Sequence, residues 1–456
     1  MVKLDKQNRE TYKNQIIQTL IDQNIVDFKE LFVELHPTDQ IDILNAVTKK
    51  QRAIIYKNVN PEAFAEIFQD LEINKQKLYI SELQQNYAIE VINNMPYDDI
   101  ADFFAELPVT TKDLYLSLME KEEAEEVIHL LKYDDQTAGA IMTTEYISVS
   151  SSDTVGNVMD RLRIEAPEAE TIYYLYVIDE QLKLAGVVSL RDLIISSLDQ
   201  KIEEMMLSRV KSVETHTDQE DVAKIMRKYD FLAIPVTSQG KLVGIITVDD
   251  IMDVVEEETE EDFGEISAVK GSLDANISSF SAAKKRSPWI IMLMFLGLVT
   301  AGVIGEFEET LEQVIILAVF IPLIMDSAGN TGTQALAVVV RALALGKLKD
   351  SSIKKMIKRE FGTGIMLGLI CAITLLIIVP IIYPEGGIVL AGIVGVSLFF
   401  TLSLSTMVGA IVPLIINKLK IDPAVASGPF ITTINDIMGL IIFFSIATAL
   451  LDYLPQ

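Results

Sequence analysis

Two stretches of this 456-residue chain carry side chains whose types and spacing could do chemistry. In an apolar run near the C-terminus, Thr432, Asn435, Asp436 and Gly439 recur at i, i+3, i+4 and i+7, so they share one helix face. With ~1.5 Å of rise per residue, Asp436 lies about 10 Å along that helix from Pro429. An earlier apolar run holds Pro322, Asp326, Gly329, Asn330, Thr331, Gly332, Thr333 and Gln334. Such groups at bilayer depth are costly unless they face protein or water. No Lys falls inside either run, and Arg341 stands toward the end of the earlier one. An acid without a basic partner in that setting points to a cation path or a proton relay. Asn330, Thr333, Gln334 and Thr432 are equally well read as polar glue between helices.

The second stretch is acidic. Residues 249–265 hold ten carboxylates (Asp249, Asp250, Asp253, Glu256, Glu257, Glu258, Glu260, Glu261, Asp262 and Glu265) and neither Lys nor Arg. A solvated helix is the plain account of such a run. Like charges at i, i+4 nevertheless destabilise a helix, which leaves a role for a compensating cation. Asp98 and Asp102 repeat that spacing upstream, and Asp218, Glu220 and Asp230 add further acids.

The elements that position these groups follow from the pattern of hydropathy and charge. Five apolar runs, 289–304, 314–345, 361–383, 388–416 and 429–451, approach or exceed the ~20 residues that cross a bilayer. The first is short, which implies little tilt or a locally thinned membrane. Lys284, Lys285 and Arg286 precede it. Lys347, Lys349, Lys354, Lys355, Lys358 and Arg359 follow the second run, and Lys418 and Lys420 follow the fourth. Basic residues thus mark alternate loops. By the positive-inside rule the N-terminal part is cytosolic, the C-terminus lies outside, and the chain is a multi-pass protein of the cell membrane.

Of 65 Asp and Glu against 38 Lys and Arg, net −27, residues from Pro288 onward carry 11 and 9, so −25 belongs to residues 1–287. That balance argues against a nucleic-acid partner, which needs clustered bases. The lone Cys371 excludes a disulfide scaffold or a multi-thiolate zinc site. His36, His129 and His216 are isolated, and no P-loop or nucleophile–His pairing occurs, so an enzyme is not expected. The first residues lack the apolar core of a cleaved secretion signal.

Residues 137–258 contain a repeat. Leu184, Gly186, Ser189 and Asp192 recur 58 positions later as Leu242, Gly244, Thr247 and Asp250. Each set follows a strand-like stretch (173–178, then 232–236) and a helical pattern (Val155, Val158, Met159; then Val222, Ile225, Met226), with a Ser or Asp cap expected before each helix. This β-α-β-β-α unit resembles a tandem pair of cystathionine-β-synthase-type (CBS) domains. In that family the Ser/Thr and Asp contact a nucleotide ribose. The resemblance therefore implies a nucleotide such as ATP at Ser189, Asp192, Thr247 and Asp250, while helix capping by Asp192 and Asp250 stands as the alternative. Residues 1–136 read as short helices stacked in a superhelix, punctuated by Pro37, Pro61 and Pro96 at first helical positions, with acids in the first turn. Residues 259–287, with Ile266, Val269, Gly271 and Leu273, read as a connecting, plug-like helix ahead of the transmembrane domain, 288–456.

Taken in order, the helical N-terminal domain, the CBS pair, the five spans and the motifs at 322–334 and 428–439 resemble the MgtE family of magnesium channels. The resemblance covers almost the whole chain. It implies a homodimer in the bilayer, with the second and fifth spans of both copies around a central pore. Asp436 matches the family's pore aspartate, which binds hydrated Mg²⁺; Gly329, Asn330 and Gly428 fall in the matching motifs. Asp326 stands where many members have no acid. The resemblance further implies regulatory Mg²⁺ at Asp98, Asp102, Asp218, Glu220, Asp230, Asp250, Asp253, Glu258, Glu261 and Asp262, with Glu66 a weaker match. These ions would close the channel when internal Mg²⁺ is high. The competing reading is a CBS-regulated secondary transporter that uses Asp436 as a proton or Na⁺ relay.

Overall fold

The structure, a computed structural model, describes residues 8–269, 277–344, 350–384, 387–419, 423 and 428–453. Gly271, Leu273, Lys347, Lys349 and Lys420 lie outside the described residues. The chain divides into two compact units, Met1–Val254 and Val255–Gln456.

Among the described residues, the first unit begins with ten short helices, from Arg9–Ile21 to Lys121–Leu130. They pack largely on the next helix but one: Pro37–Ala46 on Pro61–Gln69, Pro61–Gln69 on Gln85–Ile92, and Tyr97–Ala105 on Lys121–Leu130. Pro37 and Pro61 open their helices, where the missing N–H costs nothing, and Asp39 and Glu62 sit in the first turns. Pro96 instead forms the N-cap of Tyr97–Ala105, one place earlier than expected, with Asp98 and Asp99 in the first turn. Phe64, Phe68, Phe103 and Phe104 are fully buried and run as a ladder of ring contacts through the stack. A buried ion pair braces it. Arg52 donates to both oxygens of Glu82 at 2.9 Å, and Tyr56 donates to the same carboxylate at 3.1 Å.

The repeat folds as two like sheets. Strands β1 (Ser148–Ser150), β2 (Tyr174–Ile178) and β3 (Leu184–Ser189) form one. The other comprises β4 (Val213–Glu214), β5 (Ala233–Ser238) and β6 (Lys241–Thr247). In each, the first strand pairs parallel to the second and the second antiparallel to the third, with a bulge at the matching places Val177/Ile178 and Val236/Thr237. The repeated glycines have a steric reason: a Cβ at Gly186 would stand 2.7 Å from Met206 Sδ, and one at Gly244 2.7 Å from Met142 Sδ. Met142 stands ahead of β1 yet packs on the second repeat, where Thr143 pairs with Ile245. The helical stack shares one core with the second repeat, through Met142, Val222, Met226 and Ile234, while the first repeat has its own core. Thr154, rather than a Ser or Asp, caps the first repeat helix Val155–Glu165; Asp218 caps the second, Gln219–Tyr229.

The connecting segment is not one helix over 259–287. Residues up to Ile266 continue the helix Val248–Ile266, which starts directly after β6. Ala268, at φ 56, turns the chain into the left-handed region and stops that helix. Ser278 then caps Ser279–Glu306, accepting from Ser281 N at 3.2 Å. The first span is therefore a longer helix than its apolar stretch, with the basic triplet 284–286 inside it.

Among the described residues, five helices are long and apolar enough to cross a membrane: Ser279–Glu306, Ile315–Ala344, Ser352–Ile382, Gly387–Lys418 and Gly428–Ala449. The second span opens with a short 3-10 turn, Ile315–Phe320. The second, fourth and fifth spans pack on one another, and the third packs on the fourth.

Candidate functional site

The second and fifth spans bring the polar motifs face to face. A Cβ at Gly329 would stand 2.5 Å from Thr432 Cγ2 and 3.4 Å from Asp436 Oδ1, so glycine there admits both side chains. Thr333 Oγ1 donates to the Gly329 carbonyl at 2.9 Å and lies 3.2 Å from Thr432 Oγ1. This ties the motifs together as polar glue, while Asp436 plays no such part. Its Oδ1 has no hydrogen-bond partner among the described residues, and the side chain is only half-buried. Asp326 lies close enough to repel it.

Asp326, Asn330 and Gln334, four residues apart, lie on one face of the second span and are all exposed in the single chain. At the end of this face Gly428 meets Thr333: a Cβ at 428 would stand 3.4 Å from Thr333 Cγ2 and equally far from the Ile266 carbonyl. Ile266 packs there against Leu336, Val340 and Ile431. The last turn of Val248–Ile266 thus touches the spans beside the polar face. The residues read from the sequence as pore-lining, Gly329, Asn330, Gly428 and Asp436, all belong to these facing motifs.

In the first unit a second site forms where Tyr97–Ala105 meets the CBS pair. The Tyr97 amide donates to Glu145 Oε2 at 3.2 Å, and the Glu170 amide donates to the Glu145 carbonyl at 2.8 Å. Asp98 is 8% exposed, and its Oδ1 has no hydrogen-bond partner among the described residues. Burial, then Asp99, Asp250 and Glu170, hold the Asp98 carboxyl well above the usual range. Burial, then Asp250, Asp102 and Glu170, push Asp99 up to about 8. Glu170 rises to about 7, by burial and then by Asp250 and Asp249. Asp250 rises to about 6 by burial, against a hydrogen bond from Thr247. Asp70 is also raised, by burial first, with Asp253, Asp249 and Glu66 adding repulsion and His36 opposing it.

The structure therefore gathers Asp98, Asp102, Asp250 and Asp253 from the sequence reading, with Glu66 at the edge. It adds Asp99, Glu170, Asp249, Asp70 and Glu145. Among the described residues, no three His, Cys, Asp or Glu side chains converge tightly enough to cage a metal. Asp218, Glu220 and Asp230 stand at helix ends instead. Asp218 accepts from Glu220 N at 2.9 Å, Glu220 pairs with Lys224 at 3.0 Å, and Asp230 ends the helix at φ 55. Glu258, Glu261 and Asp262 lie half-buried on the Val248–Ile266 helix, in the second unit.

The Ser/Thr–Asp pairs act as caps. Ser189 Oγ donates to Asp192 Oδ2 at 2.6 Å and accepts from Asp192 N at 3.1 Å. Thr247 Oγ1 donates to Asp250 Oδ2 at 2.5 Å.

Residues 321–446 match the family model MgtE, described as a divalent cation transporter. Residues 35–136 match the MgtE intracellular N domain, and 138–199 and 202–257 match the CBS domain. The chain is 40% identical to a magnesium transporter MgtE of Bacillus subtilis, over 97% of this chain and 99% of that one. The chain belongs to the MgtE family. A second MgtE, from Enterococcus faecalis, is 42% identical over 96% of this chain and 97% of its own length. A crystal structure of the soluble part of a magnesium transporter is similar at 42% identity and TM-score 0.52, covering 55% of this chain and 99% of that one. The cytosolic domain of an MgtE Mg²⁺ channel in complex with ATP is similar at 35% identity and TM-score 0.51, covering 53% and 99%. As an MgtE protein with five apolar helices, the chain is a multi-pass membrane protein with a soluble N-terminal part.

Proposed function

We propose that two copies of this chain form a pore that carries Mg²⁺ into the cell. The observation that carries the reading is the exposed ladder Asp326, Asn330 and Gln334 beside the half-buried Asp436. Facing lipid, those groups would be costly. Facing a second copy, they line a water-filled path with two Asp436 carboxylates. Mg²⁺ gives up its water reluctantly and is held by one or two carboxylates through retained water, which suits Asp436 with Asn330 amides and the backbone at Gly329 and Gly428. His and thiolate donors suited to softer metals are missing from the two motifs. The N-terminal part lies in the cytosol and the C-terminus outside, by the loop charges.

Internal Mg²⁺ then regulates the pore. The donors are hard carboxylate oxygens, the type that ion takes: Asp98 has a buried oxygen without a hydrogen-bond partner among the described residues, and Asp99, Asp250 and Glu170 lie near enough to repel it. At low Mg²⁺ these carboxylates repel and the compact state is disfavoured. At high Mg²⁺ the ion binds the compact state better and shifts the population towards it. Asp249, Asp250 and Asp253 begin the helix whose last residue, Ile266, packs beside the polar face, so one element links control and pore. Asp102 adds to the acidic cluster, and Glu258, Glu261 and Asp262 stand further along the Val248–Ile266 helix; Asp218, Glu220 and Asp230 serve the second repeat's helix ends.

ATP, bound by the relative, is assigned here to Ser189 and Asp192, because Asp250 is committed to the acidic cluster. Mg²⁺ flux into liposomes without any counter-ion gradient tests the pore: flux that needs a proton or Na⁺ gradient would make the chain a coupled transporter.

A further inference from the structure

Behind the polar face, on the side turned away from it, the second, fourth and fifth spans enclose a set of polar groups that the pore reading leaves unused. Asn435, Thr401 and Ser405 are each 0% exposed. Both amide atoms of Asn435 and the hydroxyls of Thr401 and Ser405 have no hydrogen-bond partner among the described residues. Other buried hydroxyls nearby are satisfied along their own helices: Ser397 donates to the Ile393 carbonyl at 2.7 Å, and Thr331 to the Ser327 carbonyl at 2.7 Å.

The glycine contacts place the orphans in order along the packed spans. The Asn435 amide lies against Gly332, where a Cβ would overlap it, and a Cβ at Gly409 would overlap the Gly332 carbonyl. One turn away, a Cβ at Gly439 would stand 3.0 Å from Thr401 Cγ2 and 3.2 Å from Ile324 Cγ2. On the fourth span Thr401, Ser405 and Gly409 are four residues apart, so they share a stripe. Ser405 lies midway between the level of Gly439 and that of Gly332, which is the level of Asn435.

We propose that Asn435, Ser405 and Thr401 hold a small cluster of ordered water, and that this cluster makes Asn435 the positioning residue for Asp436. Unpaired amide and hydroxyl groups have no bulk water to turn to inside a bilayer. A buried water typically makes about three hydrogen bonds to groups that would otherwise be unsatisfied. The orphan set offers both donors and acceptors, as water requires; the Asn435 NH₂ and two hydroxyl protons make it a poor cage for a cation, which wants acceptors alone. Asn435 immediately precedes Asp436, so the orientation of its amide fixes the rotation of that turn about the helix axis. The positioning role rests on Asp436 being the pore carboxylate; the water cluster does not.

The first test is a structure of the full-length protein in lipid nanodiscs, at a resolution that shows ordered water. Density at hydrogen-bonding distance from the Asn435 amide and from the Ser405 or Thr401 hydroxyl is expected. A dry contact, an amide bonded directly to backbone, or density with the short contacts of a metal ion would overturn the cluster. The second test is Mg²⁺ flux in liposomes for the near-isosteric pair Thr401→Val with Ser405→Ala, and for Asn435→Ser. Loss of one or two hydrogen bonds to the positioning amide should raise half-saturating Mg²⁺ about threefold to tenfold with maximal flux kept. Asn435→Ser, which keeps a group for the water, should fall between the double variant and the parent. Unchanged half-saturation in a folded double variant would overturn the positioning role. Because the density readout does not involve flux, it stands even if Asp436 proves dispensable.

Discussion

The side chain of Asn435 fills the space that a Cβ at Gly332 would need. Packing and chemistry meet in that relationship: the second span gives up a side chain so that the fifth can approach closely, and Asp436 is the next residue along.

Gly332→Ala should therefore displace Asn435 and open the seam between the spans. Overpacking of this kind costs about 1–3 kcal/mol. A lower unfolding temperature in detergent and reduced Mg²⁺ flux are expected. A variant as stable and as active as the parent would show that the spans relax freely there.

The Arg52–Glu82 pair is a structural brace, with side chains 11% and 4% exposed. Arg52→Ala leaves the Glu82 carboxylate buried and without its main partner, at a cost of about 3–5 kcal/mol. Urea unfolding of the soluble part measures it. A loss below about 1 kcal/mol, the range of exposed ion pairs, would remove the pair from the core account.

The acidic cluster sets a pH dependence of definite sign. Asp99 is raised from its ordinary 3.8 to about 8, and Glu170 from 4.5 to about 7. Asp250 is raised from 3.8 to about 6. The folded form binds protons that the unfolded chain releases. Its stability is therefore greatest below the ordinary carboxylate range and falls as pH climbs from about 4 to about 8. Thermal melts of the soluble part in Mg²⁺-free buffer should show this fall, and added Mg²⁺ should reverse it most at the alkaline end. Stability that rises across the same window would contradict the cluster.

Mg²⁺ should also protect residues 1–270 from protease at millimolar concentration, by favouring the compact form. Neutralising the repulsion with Asp98→Asn and Asp99→Asn should protect the same fragment without Mg²⁺ and blunt the response to it. Equal digestion of the parent with and without Mg²⁺ would count against regulation by the ion.

Much of this was legible in the sequence. The five apolar runs became five helices because length and hydropathy leave a chain little choice at bilayer depth. The β-α-β-β-α repeat was legible because Gly186 and Gly244 recur, each seating a methionine. The break at Ala268 was not, since an alanine in the left-handed region leaves no mark in hydropathy or composition. In the acidic cluster, Asp98 and Asp250 were named from the sequence and Glu170 was not. It lies outside the repeat's motif, and only the chain path beside Glu145 brings it to Asp98. Asp218 had an acidic neighbourhood in the sequence and a helix to cap in the structure.

In the proposed function, Asp436 carries Mg²⁺ through a pore closed by internal Mg²⁺. Mg²⁺ flux into liposomes, for the parent and Asp436→Ala, with Mg²⁺ varied on the side of the soluble part, tests it most directly. Parent flux should fall as that Mg²⁺ rises, and a folded Asp436→Ala should carry none at any concentration. Flux by Asp436→Ala equal to that of the parent would contradict it.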